Sequence, residues 1–413
     1  MARVCFLCPG QLARNPRVIR NADCLSAAGH DVTVVYPDFQ PDFRQYDAGI
    51  VARARWQAVA FDFCSKPAAR LRWQCVRLRH RLAEGLVRRS DRLFWLERAY
   101  GYFGPELAAA ATKTRASLFF AQQQATLAAA ARAAQACGGA YAADIEDLLA
   151  EYAINPVASI RRVERQFFGP AAFLCTMSAA AADFIYDTHR LARHPLVLHN
   201  CPSLAERAAL TPPELRPPGG TVSLYWFGQT VGPHSCAESI VRALPLLRRP
   251  CRLVLRGIAH RHAYLDRLRE IVARLGLGQS LVVQGAAAPA EMVALAGEHA
   301  FCLGTQPSRQ LFHQMAIGNK VFVGMMAGAV GALTDTIAHR RLLADHSGWA
   351  FLFGENSPEL LAAEINRLLD DSGLFAAMRR RAWDLAGTVF NWEHQSIGLV
   401  EAVDRSLHLL PHP

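Results

Sequence analysis

Short, nearly continuous apolar runs, each followed by a stretch of helical periodicity, recur along this chain in two series separated by one break. The first series reads "ARVCFLC", then "PRVIRNADCLSAAGH" as a helix stopping at Gly29, then "DVTVVYP". Further on come "SLFFA", an Ala-rich helix, "GAYAAD", a helix through 157–168, "FLCTM" and "HPLVLHN". Runs that are apolar throughout, not alternating, belong to strands covered on both faces. Strands separated by helices of about 10–15 residues predict a parallel sheet. The break is residues 202–221, with four prolines and two glycines within 211–220, a linker composition. The second series follows as "VSLYWFG", "CRLVLRG", "SLVVQG", "AFCLGTQ", "VGALTD" and "WAFLFG", again with helices between. The end of the chain, "LFAAMRRRAWDLAG" and "NWEHQSIGLVEAVDRSLHLL", is helical and long enough to cross back over the first domain.

At 413 residues the chain exceeds the usual size of a single core. The expected fold is therefore α/β, with two Rossmann-like doubly wound domains, a cleft between them and a C-terminal helix crossing back. The boundaries are 1–201 for the first domain, 202–221 for the linker, 222–387 for the second domain and 388–413 for the returning helix. Ligands of such sheets bind at the carboxyl ends of the strands.

Hydrophobic residues make up 52% and charged residues 19%, which excludes a disordered chain. No run approaches the roughly 18 apolar residues of a membrane span, and the opening apolar run is too short for a secretory signal. Eleven cysteines follow no disulfide rhythm. Cys5 and Cys8 form a CxxC inside a strand, where they point to opposite faces, and no second CxxC or HxxxH accompanies them. They read as small buried hydrophobes, and the chain as a reduced, cytosolic protein with no metal or other cofactor.

The net charge of +10 is concentrated. Residues 66–98 hold ten Lys/Arg against three acids, a net +7. There Leu71, Cys75, Leu78, Leu82 and Leu86 recur at helical spacing, with Trp73, Phe94 and Trp95 close by. This is a basic amphipathic helix suited to an anionic membrane surface, or a solvated helix that packs its leucines inward. No recognition motif points to nucleic acid.

The stretch "NKVFVGMMAGAVGALTD", 319–335, runs from polar to apolar to small and back to apolar. It predicts a short helix with its N-terminus toward a ligand, a glycine turn and a buried strand. With "NPRVIRNADCLSAAGHDVTVVYP", "LCTMSAAAADFIYDTH…PLVLHNCPS" and "FNWEHQ", in that order and spacing, it resembles the GT-B glycosyltransferases, specifically the retaining family-four group. The resemblance covers almost the whole chain. It implies a second domain that binds a nucleotide-sugar, a first domain that binds a glycan, lipid-linked or other acceptor, and transfer with retention. In such a reaction the leaving diphosphate itself takes the acceptor proton. The setting implied is bacterial surface polysaccharide or glycoconjugate synthesis, peripheral to the inner face of the membrane.

Carried over residue by residue, the resemblance implies donor contacts at Gly228, Arg256, Gly257, Gln284, Gly285, Asn319, Lys320, Ala327 and Gly328. A diphosphate needs backbone N–H groups, a helix N-terminus and cations, and Lys320 opens the helix. Three anchors of the family are missing. Val323 and Met315 stand where it carries glutamates, and Gln229 and His234 stand where it carries Arg and Lys. Gln122, Gln123 or Gln124 replaces an acceptor-domain His. Gln229, His234, Gln306, Arg309 or His313 can take over, with Arg309 as a phosphate cation. On the acceptor side Gly10, Arg14, Asn15 and Arg17 follow the first strand, and Asp144, Glu146 and Asp147 follow a later one. Lys320, Arg309 and Asp144 are the candidate catalytic residues. Two other readings stay open: a non-catalytic partner subunit of an active transferase, and an epimerase of the same fold, which would need acids near Met315 and Val323.

Overall fold

The computed structural model describes residues 2–64, 67–87, 92–152, 157–216, 221–258 and 262–409. The chain divides into two compact units. Unit 1 comprises residues 1–177, 181–198 and 396–413; unit 2 comprises 178–180 and 199–395.

Unit 1 is built on seven strands: β1 (Arg3–Leu7), β2 (Asp31–Asp38), β3 (Gln57–Asp62), β4 (Leu118–Gln122), β5 (Ala140–Ile145), β6 (Leu174–Thr176) and β7 (Leu196–Val197). They pair in parallel in the order β3-β2-β1-β4-β5-β6-β7. Successive residues of a strand face opposite sides, yet Leu118, Phe119, Phe120 and Ala121 are all fully buried. Both faces are therefore covered, as the unbroken apolar run requires. The rings of Phe6 and Phe120 stack at 4.9 Å between neighbouring strands. Cys5 and Cys8 are fully buried, and burial pushes both thiols up to about 12. The edge strand β3 has no counterpart in the sequence reading. Its apolar run is short, Ala58 to Phe61, and Gln57, Val59 and Ala60 are exposed.

The basic segment forms a helix, Pro67–Val87, followed by another at Leu93–Tyr100. Residues 65–66 and 88–91 of that segment lie outside the described residues. The inward-packing reading of its leucines is overturned. Leu71, Leu78 and Leu82 are 67%, 60% and 55% exposed, and Leu86 and Cys75 are exposed too. The buried face is Ala69, Val76, His80 and Ala83. Two ring contacts and an ion pair hold that side of the helix: His80 stacks on Tyr102 at 3.9 Å, Trp73 stacks on Phe103 at 5.5 Å, and Arg79 grips Glu106 through both guanidinium ends.

Unit 2 contains β8 (Val222–Thr230), β9 (Cys251–Ile258), β10 (Leu281–Gln284), β11 (Phe301–Gly304), β12 (Val330–Thr334) and β13 (Ala350–Phe353). All are parallel, in the order β10-β9-β8-β11-β12-β13. Trp226, Leu253, Leu255, Phe301 and Leu303 lie in its core. The segment read as a linker packs as part of this unit from 199 onward. Arg216 donates to the carbonyls of Gly297 and Ala327, and Arg379 donates to the carbonyls of Arg216 and Gly328. Arg207 lies over the Trp383 ring and bonds its carbonyl. Residues 217–220 lie outside the described residues.

Two helices, Ser372–Thr388 and Trp392–His408, end the chain. Residues from 396 onward pack with unit 1, where Asp404 lies 3.4 Å from His30.

Candidate functional site

In each sheet the strand order reverses beside the first strand, between β1 and β4 in unit 1 and between β8 and β11 in unit 2. Loops leaving such a pair diverge and open a crevice at the carboxyl ends. The two mouths carry different chemistry.

In unit 2 the 319–335 stretch folds in the order its pattern predicts: a helix, Asn319–Met326, a turn at Gly328 and strand β12. Gly328 has φ +66°, and the Pro213 ring lies 3.1 Å from where a Cβ would sit, so both backbone and space call for glycine there. Val321, Phe322, Val323, Met325 and Met326 are all buried. At 5% exposure Val323 is part of this packing, as is Met315 at 8%. The family's two glutamate positions are thus filled by core side chains. Ala327 is buried in the turn and Asn319 is exposed at the helix start.

Lys320, in the first helical turn, places its ammonium 4.9 Å from the Trp226 ring centre. Burial lowers it to about 8, slightly offset by Cys236, since a desolvated ammonium prefers to lose its proton. Among the described residues it has no carboxylate ion-pair partner. Around it lie Cys236 and His313, and both feel Lys320 and Glu355 electrostatically. Burial lowers the His313 imidazole, and His234 and Lys320 add to the effect. The two switch-point loops are tied together: Thr305, after β11, donates to the Ser235 carbonyl at 2.6 Å. Cys236 adopts φ +54° in the same loop, a left-handed conformation unusual for a residue with a side chain.

Several expected donor contacts are placed otherwise. Strand β8 runs through Gly228 and Gln229 to Thr230, so no turn begins at Gly228. The glycine fits because the Trp226 ring lies 2.5 Å from where its Cβ would be. Gln229 is exposed, and His234 bonds the Thr230 carbonyl at 2.9 Å. Arg256 is occupied by its neighbours: Tyr225 at 3.0 Å, the Gly285 carbonyl at 3.2 Å, and the Gln284 side chain. Gly257 lets β9 pass the Gly228 carbonyl, 2.6 Å from where its Cβ would sit. Gln306 spans the carbonyls of His313 and Ala316, both at 2.7 Å, and so steadies the short helix Leu311–Met315. Arg309 is exposed beside it. Sequence reasoning missed Trp226, Thr305, Cys236 and Glu355. Glu355 follows β13 and accepts from both the backbone N–H and the hydroxyl of Ser308, each at 2.8 Å.

In unit 1 the mouth is acidic. Asp144 ends on a fully buried carboxylate gripped by Arg17 at 2.5 and 2.9 Å and by Asn21 at 3.2 Å. Both of its oxygens are engaged, so it faces Arg17 and not the mouth, which removes it as a catalytic candidate. By the same pairing the charge of Arg17 is cancelled and does not serve an anion. Arg14 is exposed, with Gln40 at 3.5 Å and the Phe43 ring at 5.7 Å. Asn15 donates to the Gln11 carbonyl at 2.7 Å, and Gly10 lies beside it. The outward carboxyls are Glu146 and Asp147. Gln122 donates to Glu146 at 3.3 Å and Gln123 to Asp147 at 3.4 Å. Gln123 holds φ +63° at this spot. Gln124 bonds Glu164 instead, at 2.9 Å. Desolvation pushes Glu146 up to about 7, against the pull of Arg17 and with help from Asp147 and Asp144.

A cavity of about 640 Å³ in unit 1 lies elsewhere, at the amino ends of the strands between Arg3, Asp31, Gln57 and Lys113. Among the described residues, Asp38, Asp62 and Cys64 are close enough together to hold a cation. Arg44 already lies there, 2.6 Å from Asp38 and 2.7 Å from Asp62.

No family model matches the sequence, and no curated protein matches it by sequence. Solved structures do match. The architecture is the GT-B fold: two parallel-sheet, Rossmann-like units with the helices that cover them. A glycosyltransferase from Rickettsia africae is similar with TM-score 0.73 and 13% identity, over 99% of both chains. Anabaena Alr3699/HepE in complex with UDP-glucose is similar with TM-score 0.68 and 14% identity, over 98% of this chain and 100% of that one. The sucrose-phosphate synthase of Thermosynechococcus elongatus gives 0.69 and 14%, over 98% and 99%.

Proposed function

We propose that the protein is a glycosyltransferase that moves a sugar from a nucleotide-sugar to a glycan, lipid-linked or other acceptor. The observation that carries this reading is Lys320, a partly buried cation with no carboxylate ion-pair partner among the described residues, at the switch point of unit 2. A desolvated ammonium that no residue neutralises is stabilised by an arriving anion, and a diphosphate at a helix start is the anion this position suits. The fold is shared with a protein solved with UDP-glucose. The Trp226 ring lies 4.9 Å from the ammonium, and the exposed Asn319 precedes Lys320 at the helix start.

Calorimetry or thermal shift against UDP, GDP, ADP, CMP and TDP tests the reading. One nucleotide is expected to bind, and Lys320→Ala to weaken it. Silence with all five favours the non-catalytic partner subunit. On stereochemistry, the resemblance to retaining enzymes makes departure of the diphosphate with the acceptor proton the first reading.

The setting we propose is the inner face of a membrane, in surface polysaccharide or glycoconjugate synthesis. No helix among the described residues is long and apolar enough to cross a membrane. The leucine stripe of helix Pro67–Val87 supports peripheral docking: Leu71, Leu78 and Leu82 stand in water between Arg70, Arg77 and Arg81 on one flank and Arg72 on the other. Apolar side chains entering the headgroup boundary beside arginines suit an anionic surface. Replacing the three leucines by serine should abolish recovery with anionic vesicles at low salt. Equal recovery of the unaltered protein with neutral and anionic vesicles would remove this part of the proposal.

A further inference from the structure

Parallel sheets are ordinarily covered on both faces, and at β3 this one is not. None of the six residues of β3 is buried. Gln57, Val59 and Phe61, alternate positions that share one face, border the cavity of about 640 Å³ together with Thr33 of β2. Another wall is the helix Gly104–Lys113. Glu106, Ala109, Ala110 and Lys113 recur along it at helical spacing, and all four line the cavity. The two alanines in the middle of that stripe are too short to reach the sheet. Leu107 and Ala111, which anchor the helix, are buried on another side of it. The space left over is unlike a close-packed interior, and its volume falls within the roughly 300–1,000 Å³ of small-molecule sites.

The lining is graded from polar to apolar. Ser117, just past the helix, donates to the Arg3 carbonyl at 2.9 Å, so the helix ends where β1 begins. Arg3, Lys113, Asp31 and Gln57 therefore gather at the strand starts, while Val59, Phe61, Ala109 and Ala110 continue from them as an apolar stretch. Arg72 reaches the cavity from the helix Pro67–Val87, which carries the exposed leucine stripe. The charges do not balance. Glu106 is gripped by Arg79 through both guanidinium ends, which cancels it. That leaves Asp31 against Arg3, Arg72 and Lys113, and among the described residues none of these three cations has a carboxylate ion-pair partner.

We propose that this groove binds an anionic amphiphile, with its alkyl or prenyl chain against Val59, Phe61 and the two alanines and its acidic head between Arg3 and Lys113. A single chain suits the space better than a protein segment. A helix is about 10–12 Å across, so the cavity would take less than about two turns of one. The strip of β3 from Gln57 to Phe61 runs about 13 Å, at about 3.3 Å per residue, along which an extended chain can lie. The groove is a different site from the mouth of the same sheet, because Arg3, Asp31 and Gln57 open their strands and the mouth lies at the other ends. It does not depend on the transferase reading.

Calorimetry on the full chain with decyl phosphate, kept below its micelle-forming concentration, tests the site. Binding is expected, and octyl phosphate should bind about tenfold more weakly for the two buried methylenes it lacks. Decanol, which has the chain without the charge, should also bind about tenfold more weakly. Ala109→Trp fills the groove from an exposed position. It should remove decyl phosphate binding and leave the melting temperature and the response to UDP as in the unaltered protein. Arg3→Gln combined with Lys113→Gln should weaken decyl phosphate about tenfold and leave decanol unchanged. A second arm separates two sources of such a ligand. The protein is mixed with phosphatidylglycerol vesicles and freed of them by flotation, and the lipid it carries is measured by mass spectrometry. Lipid on the unaltered protein and none on Ala109→Trp identifies the membrane as the source. Decyl phosphate bound in the first arm and no lipid carried in the second identifies a soluble amphiphile. Failure to bind decyl phosphate overturns the proposal. So does equal affinity for decyl and octyl phosphate, for decyl phosphate and decanol, or for decyl phosphate in the unaltered protein and Ala109→Trp. None of these results bears on UDP, so the groove and the transferase reading fail separately.

Discussion

The two sheet mouths are the same piece of topology with opposite electrostatics. In unit 1 a cation, Arg17, is sunk beneath carboxylates and spent on Asp144, which leaves Glu146 outward. In unit 2 a cation, Lys320, is itself the outward group, backed by an aromatic ring and, among the described residues, paired with no acid. On the proposed reading, the mouth of unit 2 receives negative charge and that of unit 1 an acceptor. A doubly wound sheet fixes where a ligand sits, and a few residues at the strand ends decide what it is.

The strongest way to break this contrast is Arg17→Met. If Arg17 is structural, its loss strands a fully buried Asp144 charge and should cost about 3–5 kcal/mol by chemical denaturation. A cost under about 1 kcal/mol would mean that Arg17 is held in reserve for a ligand. Next in size is Lys320→Met, which should weaken UDP about 10–100-fold, the range for one charged hydrogen-bonding group. Because the Lys320 proton leaves near pH 8, UDP affinity should fall above that pH in the unaltered protein and not in the variant. The sign for stability is the reverse. An unfolded lysine keeps its proton to about 10.5, so the free protein gains stability as pH rises from about 8 to 10.5. Lys320→Met should lose that gain.

The smallest effect separates the acidic mouth from an ordinary surface. The folded state raises Glu146 from 4.5 to about 7, so it binds more protons than the unfolded chain between those values. Stability from this group therefore declines as pH climbs through that window. Melting curves of Glu146→Gln should match the original below pH 4.5 and lie slightly above it at pH 8. Coincident curves at both pH values would place Glu146 in open water.

Much of this was legible in the residues. Unbroken apolar runs such as 118–121 revealed strands covered on both faces, and the order of side-chain types in 319–335 revealed helix, turn and strand. What escaped was set by distance along the chain. Arg17 and Asp144 are 127 positions apart, and no local pattern shows that they cancel. Strand β3 escaped because its apolar run is only four residues long, Ala58 to Phe61, at the edge of the sheet. The leucine stripe of 67–87 had the right period, but periodicity gives a face and not its direction. His80, Trp73 and Arg79 decided that by binding the other side. Trp226 and Cys236 were visible only as core-type residues until the loops after β8 and β11 brought them to Lys320.

The anchoring of residues 207–216 has a practical outcome for anyone recombining this protein. Pro213 fills the space that Gly328 leaves, and Arg216 and Arg379 lace that strip to the turn after helix Asn319–Met326. The proline-rich strip therefore travels with the second half. A chimaera that borrows another protein's nucleotide-binding half should be spliced ahead of residue 199, since a joint at the proline–glycine run would leave the strip behind and a hole beneath Gly328.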